Sequence, residues 1–366
     1  MGRKGESIFL RNDGRYEARY IKGYDALKKA KYGFVYAKSY QEAKKKRNIM
    51  VLGYSNNVVK SVDVNADLFN QAIDMWLIHI KSRVKESTYS LYVQIVDKHI
   101  RPKFGKYKIT EITNQVLEEY INEKLDGGRV DKKGGLSNKT VIDIVRVIKQ
   151  ILKYHGIVLN VSTIKKNLKN VEIFNINEVI TIKNNTEYSD DRLLFGIYIC
   201  LYTGMRIGEI CALKNGDIDY YNGLISIKNT LIRIKNNDYD NSKKTKIIIS
   251  KPKSVKSIRT IPLSDIMCER LKSFSGNKDD YFLTNSKRIM EPRCYYNFYR
   301  GNLEKWNIPY KKFHALRHTF ATKCIESGFD VKALSEILGH ANINITLNLY
   351  VHPTIEQKRK YMNLLF

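Results

Sequence analysis

Hydrophobic spacing along the chain changes character twice. In the first stretch, "SIFLRNDGRYEARYIKG" holds two short β-prone runs on either side of Asn12-Asp13-Gly14, a hairpin turn signal, and "YGFVYAKS" supplies a third run. Ser39 and Glu42 then make a capping-box pattern that opens a helix over "SYQEAKKKRNIM". A three-stranded sheet backed by one helix is the expected module. Residues 50 to 63 lose periodicity and read as a linker. From "ADLFNQAIDMWLIHIKS" onward the spacing is helical, placing Leu68, Ala72, Ile73, Trp76 and Ile80 on one face. "ESTYSLYVQIVDKHIRPKFG" follows, with Leu91, Tyr92, Ile95, Val96 and His99 on one face and a stop at Pro102 and Gly105. "TNQVLEEYINEKL" is a third helix, and "NKTVIDIVRVIKQILKYHG", closed by Gly156, a fourth. From about residue 160, helical runs alternate with the strands "GLISIKN" and "TKIIISKPKSVKSIRTIPL". The expected fold is multidomain: a small β-sheet plus helix module over 1–55, an all-α four-helix domain over 64–157, and a mixed α+β, mainly α, domain over 165–366.

Charge narrows the partner. Among 366 residues, 64 Lys and Arg face 37 Asp and Glu, a formal charge of +27. Such an excess favours a polyanion, with nucleic acid the default and a membrane surface the competitor. No apolar run approaches the length needed to span a bilayer, and "MGRKGESIFLRNDG" lacks a signal-peptide core, so a cytoplasmic, nucleoid-associated bacterial protein is expected. The five cysteines are widely spaced without a C-x-x-C pair and read as reduced packing residues. Residues 1–60 carry 15 Lys and Arg against five Asp and Glu, with seven tyrosines. Arg15, Tyr16, Arg19 and Tyr20, alternating along one strand, are the candidate DNA contacts there; a solvated basic extension is the competing reading. His79, His99 and His155, in or at the ends of helices, suit packing or surface roles. No glycine-rich nucleotide loop and no metal-ligand cluster such as H-E-x-x-H occurs, so no cofactor and no metal are implied.

Four stretches in the last segment concentrate groups suited to phosphodiester chemistry. They are "TGMRIGEICALK" with Arg206 and Glu209, "KPKSVKSIRTIPL" with Lys253, "HALRHTF" with His314 and Arg317, and "LGHANINITLNLYVH" with His340 and Tyr350. Each alone is commonplace, but their order is not. Together they closely resemble the tyrosine recombinase (phage-type integrase) family, whose pattern runs Arg, Lys, His-x-x-Arg, His, Tyr. The basic N-terminal module is similar to the arm-binding domain of conjugative-transposon and lambda-type integrases, and the helical segment to their core-binding domain. Ser254 follows Lys253 where the family usually has Thr, and Lys251 and Lys256 flank it.

The resemblance implies a site-specific DNA recombinase that integrates and excises a mobile element. Tyr350 would be the nucleophile and form a reversible 3′-phosphotyrosyl link, with neither metal nor ATP. Arg206 and Arg317 would clamp the non-bridging oxygens of the phosphorane. Lys253 would protonate the leaving 5′ oxygen, His314 and His340 would bond the scissile phosphate or assist proton transfer, and Glu209 would orient Arg206. Implied partners are double-stranded DNA core and arm attachment sites and a homotetramer on DNA, with an excisionase and a host DNA-bending protein as candidate accessories. His318 and His352 are expected to be structural. The apolar tail "PTIEQKRKYMNLLF" is expected to dock on a neighbouring protomer or on its own domain. A chromosome-dimer-resolving recombinase and a non-catalytic DNA-binding regulator of the same fold are the alternatives.

Overall fold

The computed structural model describes residues 7–24, 30–44, 46–47, 68–129, 131, 133–161, 171–236, 244–250, 258–350, 355, 359 and 362–363. Lys251, Lys253, Ser254, Lys256, His352, the whole of the 50–63 linker and all of the tail from Pro353 onward except Ile355, Arg359, Met362 and Asn363 lie outside them. Two units divide the chain: Met1–Phe69 with Tyr107–Ile112, and Asn70–Lys106 with Thr113–Phe366. The protein is multidomain and mainly helical, with small antiparallel sheets. Among the described residues, no helix is long and apolar enough to cross a membrane.

In the first unit, β1 (Ile8–Leu10), β2 (Tyr16–Tyr24) and β3 (Ala30–Ala37) form an antiparallel sheet in the order β1-β2-β3. The Asn12-Asp13-Gly14 turn closes through Gly14 N donating to Arg11 O at 3.0 Å. A helical turn begins at residue 40, where the Ser39 hydroxyl caps Glu42 N at 3.3 Å. Ile8, Ala18, Tyr20, Val35, Ala37 and Ala43 make a small core. Strand periodicity decides its composition, since positions 16, 18 and 20 share one face and 15, 17 and 19 the other.

The second unit begins with four helices, α1 (Phe69–Lys81), α2 (Glu86–Ile95), α3 (Asn114–Gly127) and α4 (Asn138–Tyr154). Thr113 and Ser137 cap α3 and α4 through their side-chain oxygens, as threonine and serine do for otherwise unpaired N–H groups. α4 buries Val141, Ile144, Val147, Ile148, Ile151 and Leu152, a stripe of threes and fours packed against the α2 region and α3. The expected face of α2 is partly displaced. A π-helical turn at Val96–Ile100 inserts one residue into the repeat, so Ile100 rather than His99 follows Ile95 and Val96 into the core; Leu91, one turn before it, is 51% exposed. Leu68, also expected inside, precedes α1 and is exposed. Two of the histidines pack within this helical set: His155 Nε2 lies 3.0 Å from Ala72 O, and the His79 ring lies against Tyr154, centroids 4.5 Å apart.

The remainder wraps α6 (Arg192–Thr203), which follows α5 (Ile176–Thr186) and is buried along nearly its whole length. After α7 (Ile207–Ala212) come β4 (Ile218–Asp219), β5 (Leu224–Ile227), β6 (Thr230–Lys235), β7 (Thr245–Ser250) and β8 (Arg259–Pro262). β4-β5-β8 form one antiparallel sheet and β6-β7 a separate hairpin. β6 was not anticipated from the sequence. The hairpin meets α2: Ser90 Oγ donates to Lys235 O at 3.1 Å, and Lys246 pairs with Glu86 at 2.7 Å. Among the described residues up to Tyr350, five more helices follow: α8 (Asp265–Lys272), α9 (Pro292–Lys305), α10 (His314–Glu326), α11 (Val331–Leu338) and α12 (Ile343–Tyr350).

Candidate active site

The site forms where α6 ends, α7 begins, and α10, α11 and α12 converge. Gly204 closes α6 in the left-handed region at φ +66°, and a Cβ there would stand 2.7 Å from Phe320 and 2.8 Å from Leu338. Glycine alone permits that turn. Two residues later Arg206 starts α7, its backbone N–H donating to Glu209 Oε2 at 2.9 Å and its Nη1 to Oε1 at 2.7 Å. The Arg206 side chain remains 36% exposed while Glu209 is 4% exposed. Glu209 thus holds Arg206 by two bonds from the buried side.

Glu209 also holds a second guanidinium. Arg259 donates from Nη1 to Oε1 at 3.1 Å and from Nη2 to Oε2 at 2.8 Å, and from Nε to Ile337 O at 2.5 Å. Burial alone would push the Glu209 carboxyl up, but the bonds and charge of Arg259, then the charge of Arg206, outweigh it and hold it down to about 2. Arg259 alternates with Ile261 on the buried face of β8. It was missed in the sequence, although an arginine between isoleucines on a strand is a recognisable signal.

Arg317, on α10, is 1% exposed and donates to Gly204 O at 2.8 Å and Leu338 O at 2.7 Å. These bonds tie the ends of α6 and α11 together and use two of five guanidinium donors. Burial and then Arg206 lower its pKa to about 9, so it stays cationic at neutral pH. His340 follows Gly339, the left-handed cap of α11, whose Cβ would meet Arg259 Cδ at 3.0 Å. Its Nδ1 lies 2.8 Å from the Thr346 hydroxyl. Burial, then Arg317, Arg206 and Arg259, push His340 down to about 3.

His314 opens α10 one turn before Arg317. Its surface is exposed by area, yet protein atoms crowd the ring, and loss of water followed by the charges of His318, Arg317 and Arg206 lowers its pKa. Its open edge tempers the effect. His318 stands edge-on to His314, ring centroids 4.5 Å apart, and its Nδ1 lies 2.6 Å from the Tyr350 hydroxyl. Tyr350 is 7% exposed, packed near Ala321, Cys324, Leu334 and Leu338. Burial raises its pKa, with Arg317 and Arg206 pulling the other way. His318, expected to be structural, thus faces the Tyr350 hydroxyl.

The structure brings Arg206, Glu209, His314, Arg317, His340 and Tyr350 into one neighbourhood, and adds Arg259 and His318. Two guanidiniums, Arg206 and Arg259, share one carboxylate there, and the third, Arg317, makes no ion pair among the described residues. Buried positive charge in such excess is costly unless an anion completes it.

The N-terminal sheet presents a different surface. Arg11, Arg15 and Arg19 are exposed on one face with Phe9, Tyr32, Phe34 and Tyr36. Arg19 lies over the Tyr32 ring at 4.5 Å and Arg11 over Tyr36 at 5.4 Å. Tyr20, expected beside the arginines, is 6% exposed on the opposite face with Ala18, and Tyr16 is half-buried against Tyr40. The period of two puts them in the core, and β3 supplies the face's aromatics instead.

Comparison with known proteins accords with this geometry. Residues 166–357 match the phage integrase family, and residues 68–125 match the phage integrase N-terminal SAM-like domain. The tyrosine recombinase XerC-like protein of Caldanaerobacter subterraneus subsp. tengcongensis is 27% identical over 356 residues, 88% of each chain. The transposase of transposon Tn916 from Enterococcus faecalis is 31% identical over 187 residues, 46% of this chain and 44% of its own. Among solved structures, the Tn1549 transposon integrase in complex with transposon right-end DNA aligns with TM-score 0.64 at 21% identity, over 82% of this chain and 99% of that one. A lambda integrase dimer bound to a core site aligns with TM-score 0.55 at 15% identity, over 96% of both. At those identities the likeness is one of fold.

Proposed function

The chain belongs to the phage integrase family, the tyrosine recombinases, and on that premise we propose that it is the site-specific DNA recombinase of a mobile element, cutting and rejoining DNA through a 3′-phosphotyrosyl link on Tyr350. One observation carries the assignment of roles: Arg206 and Arg259 share the carboxylate of Glu209, and Arg317 adds a third cation with no ion pair among the described residues, beside imidazoles whose pKa values are lowered and a tyrosine. That arrangement lacks one anion, and a phosphodiester supplies it. Arg206, at the surface, binds a non-bridging oxygen, and Arg317, with donors to spare, stabilises the charge that develops on the phosphorane. Arginine suits both places because its fork meets two oxygens at once. His314 and His340, kept neutral in the free protein, hydrogen-bond the phosphate or pass protons once its charge offsets the arginines. Lys253, between β7 and β8, is the acid for the 5′ oxygen. Because the phosphotyrosyl bond keeps the energy of the ester it replaces, the reverse attack by a 5′ hydroxyl reseals the strand.

Three domains divide the work in this reading: residues 1–55 bind arm sites, 64–157 bind core DNA and 165–366 catalyse. The exposed arginine and aromatic face of the N-terminal sheet supports the first, since cations and rings together match phosphates and base edges. It also favours an element integrase over a chromosome-dimer resolvase. Exchange of four strands requires four protomers on two duplexes, and the exposed Ile355 and Met362 of the tail suit docking on a neighbour. A lambda integrase tetramer has been solved on a Holliday junction, with TM-score 0.54 to this chain. An excisionase and a host DNA-bending protein would complete the assembly, in the bacterial cytoplasm.

The test uses a nicked suicide duplex carrying the element end that borders the gene. Wild-type protein forms a covalent adduct on the 3′ phosphate, and Tyr350→Phe binds the duplex equally but forms none. An adduct of wild-type yield from Tyr350→Phe removes the nucleophile assignment, and absence of adduct from wild type on any element end removes the recombinase reading.

A further inference from the structure

We propose that His318 is the base of the cleavage step, its Nδ1 taking the phenolic proton of Tyr350 as the tyrosine oxygen attacks phosphorus. The inference rests on Tyr350 being the nucleophile. Geometry is the first argument. Nδ1 and the hydroxyl oxygen are 2.6 Å apart, within the reach required of a general base, and the two residues come from α10 and α12, which the packing of Ala321, Cys324, Leu334 and Leu338 holds together.

Need is the second argument. A phenol of ordinary pKa is ionised in only about one molecule in a thousand at neutral pH, and burial raises Tyr350 above that value. At 7% exposure the side chain has little access to solvent that could take the proton. An acceptor inside the protein is required, and His318 touches the hydroxyl. The other two histidines are engaged elsewhere: His340 Nδ1 bonds Thr346, and His314 lies at the open mouth, edge-on to His318. Among the described groups, those facing His318 are His314 and Arg317 on its own helix and Tyr350 on α12. Burial and Arg317 lower its pKa and favour the neutral imidazole, which in the tautomer protonated on Nε2 accepts at Nδ1 from the Tyr350 hydroxyl.

The step balances. The Tyr350 O–H bond breaks, its proton going to Nδ1 and its electron pair to a new O–P bond. The P–O5′ bond breaks with its pair on O5′, which takes a proton from Lys253. In resealing, the 5′ hydroxyl gives its proton back to Lys253 as it attacks phosphorus, the P–O bond to Tyr350 breaks, and the imidazolium returns its proton to the phenolic oxygen, so one residue serves cleavage and resealing.

The experiment measures single-turnover adduct formation on the nicked duplex for His318→Asn, His318→Ala and Tyr350→Phe, each first shown to bind the duplex as wild type does. Asparagine keeps an acceptor near the place of Nδ1 but cannot carry a proton away. Both His318 variants are expected to slow by about 10²- to 10⁴-fold. Their rate should then climb about tenfold per pH unit above neutrality, where the wild-type rate is level. A duplex with sulfur in place of the 5′ bridging oxygen, which needs no leaving-group proton, should leave the deficit in place. A His318→Asn rate within threefold of wild type, or faster, overturns the proposal, because the bond then only positions or restrains Tyr350. Rescue by the sulfur duplex overturns it too, by moving His318 to the leaving-group side. Adducts from Tyr350→Phe would remove the nucleophile itself, whereas inactive Tyr350→Phe beside active His318→Asn removes only the base.

Discussion

Replacing Glu209 with glutamine tests whether one carboxylate organises the arginine cluster. Its two oxygens accept from Arg206 N, Arg206 Nη1, Arg259 Nη1 and Arg259 Nη2, at 2.7 to 3.1 Å. Glutamine would keep one acceptor and turn an amide N–H₂ toward donors, and both guanidiniums would lose their counter-charge. Arg259 has 5% side-chain exposure, so water cannot replace the lost partner. Breaking a buried pair from one side costs about 3 to 5 kcal/mol. In a domain of this size each kcal/mol shifts Tm by about 2 to 4 °C, so Glu209→Gln should melt roughly 6 to 20 °C lower. Removing both charges has the opposite logic: Glu209→Leu with Arg259→Met leaves no buried ion and should melt above Glu209→Gln. Circular dichroism melts of the three proteins decide it. A Glu209→Gln melt within 2 °C of wild type, or a double variant melting below the single one, refutes the counter-charge argument.

The remaining expectations are quickly stated. Acid should destabilise the free protein in two overlapping windows. His340, down at about 3, and His314 and His318, also lowered, bind protons less well folded than unfolded. Their contribution is therefore complete above about pH 6.5 and is lost progressively below it, because the unfolded chain takes up protons first. The Glu209 contribution is present above the unfolded carboxyl value and disappears as pH falls toward about 2. A His340→Gln variant should show a shallower fall in Tm between pH 6.5 and 4, and parallel curves would exclude the histidine contribution. Arg19→Ala with Tyr32→Ala, on the open face of the N-terminal sheet, should weaken arm-site binding while adduct formation on a short core duplex stays unchanged; equal loss on both substrates would place that face elsewhere in function. Truncation after Pro353 should leave binding of one protomer intact and weaken synapsis of two core duplexes in native gels. Undiminished four-protomer complexes would rule out a tail that docks between protomers.

Chain order alone brought Arg206, Glu209, His314, Arg317, His340 and Tyr350 to notice, because a reaction at one phosphate needs particular groups, and a family keeps their sequence. Helices with a single apolar stripe were equally legible, as α4 shows with its regular run from Val141 to Leu152. The π turn at Val96–Ile100 was not, since its one inserted residue breaks the repeat by which α2 was read and buries Ile100 where His99 was expected. Strands present a harder ambiguity. Alternation divides a strand into two faces but does not say which is inside until the partner layer is known. In β2, Tyr20 goes with Ala18 into the core and only the arginines remain outside. In β8 the same rule acts in reverse: Arg259 shares the inward face of Ile261, and a guanidinium enters the interior where a carboxylate must meet it. Glu209 therefore answers two demands, one from the surface arginine three residues before it and one from a strand fifty residues on. The first is local and visible as Arg-x-x-Glu. The second exists only once β8 is placed beside α7 and α11, which is why Arg259, the other partner of that carboxylate, was the residue the sequence concealed.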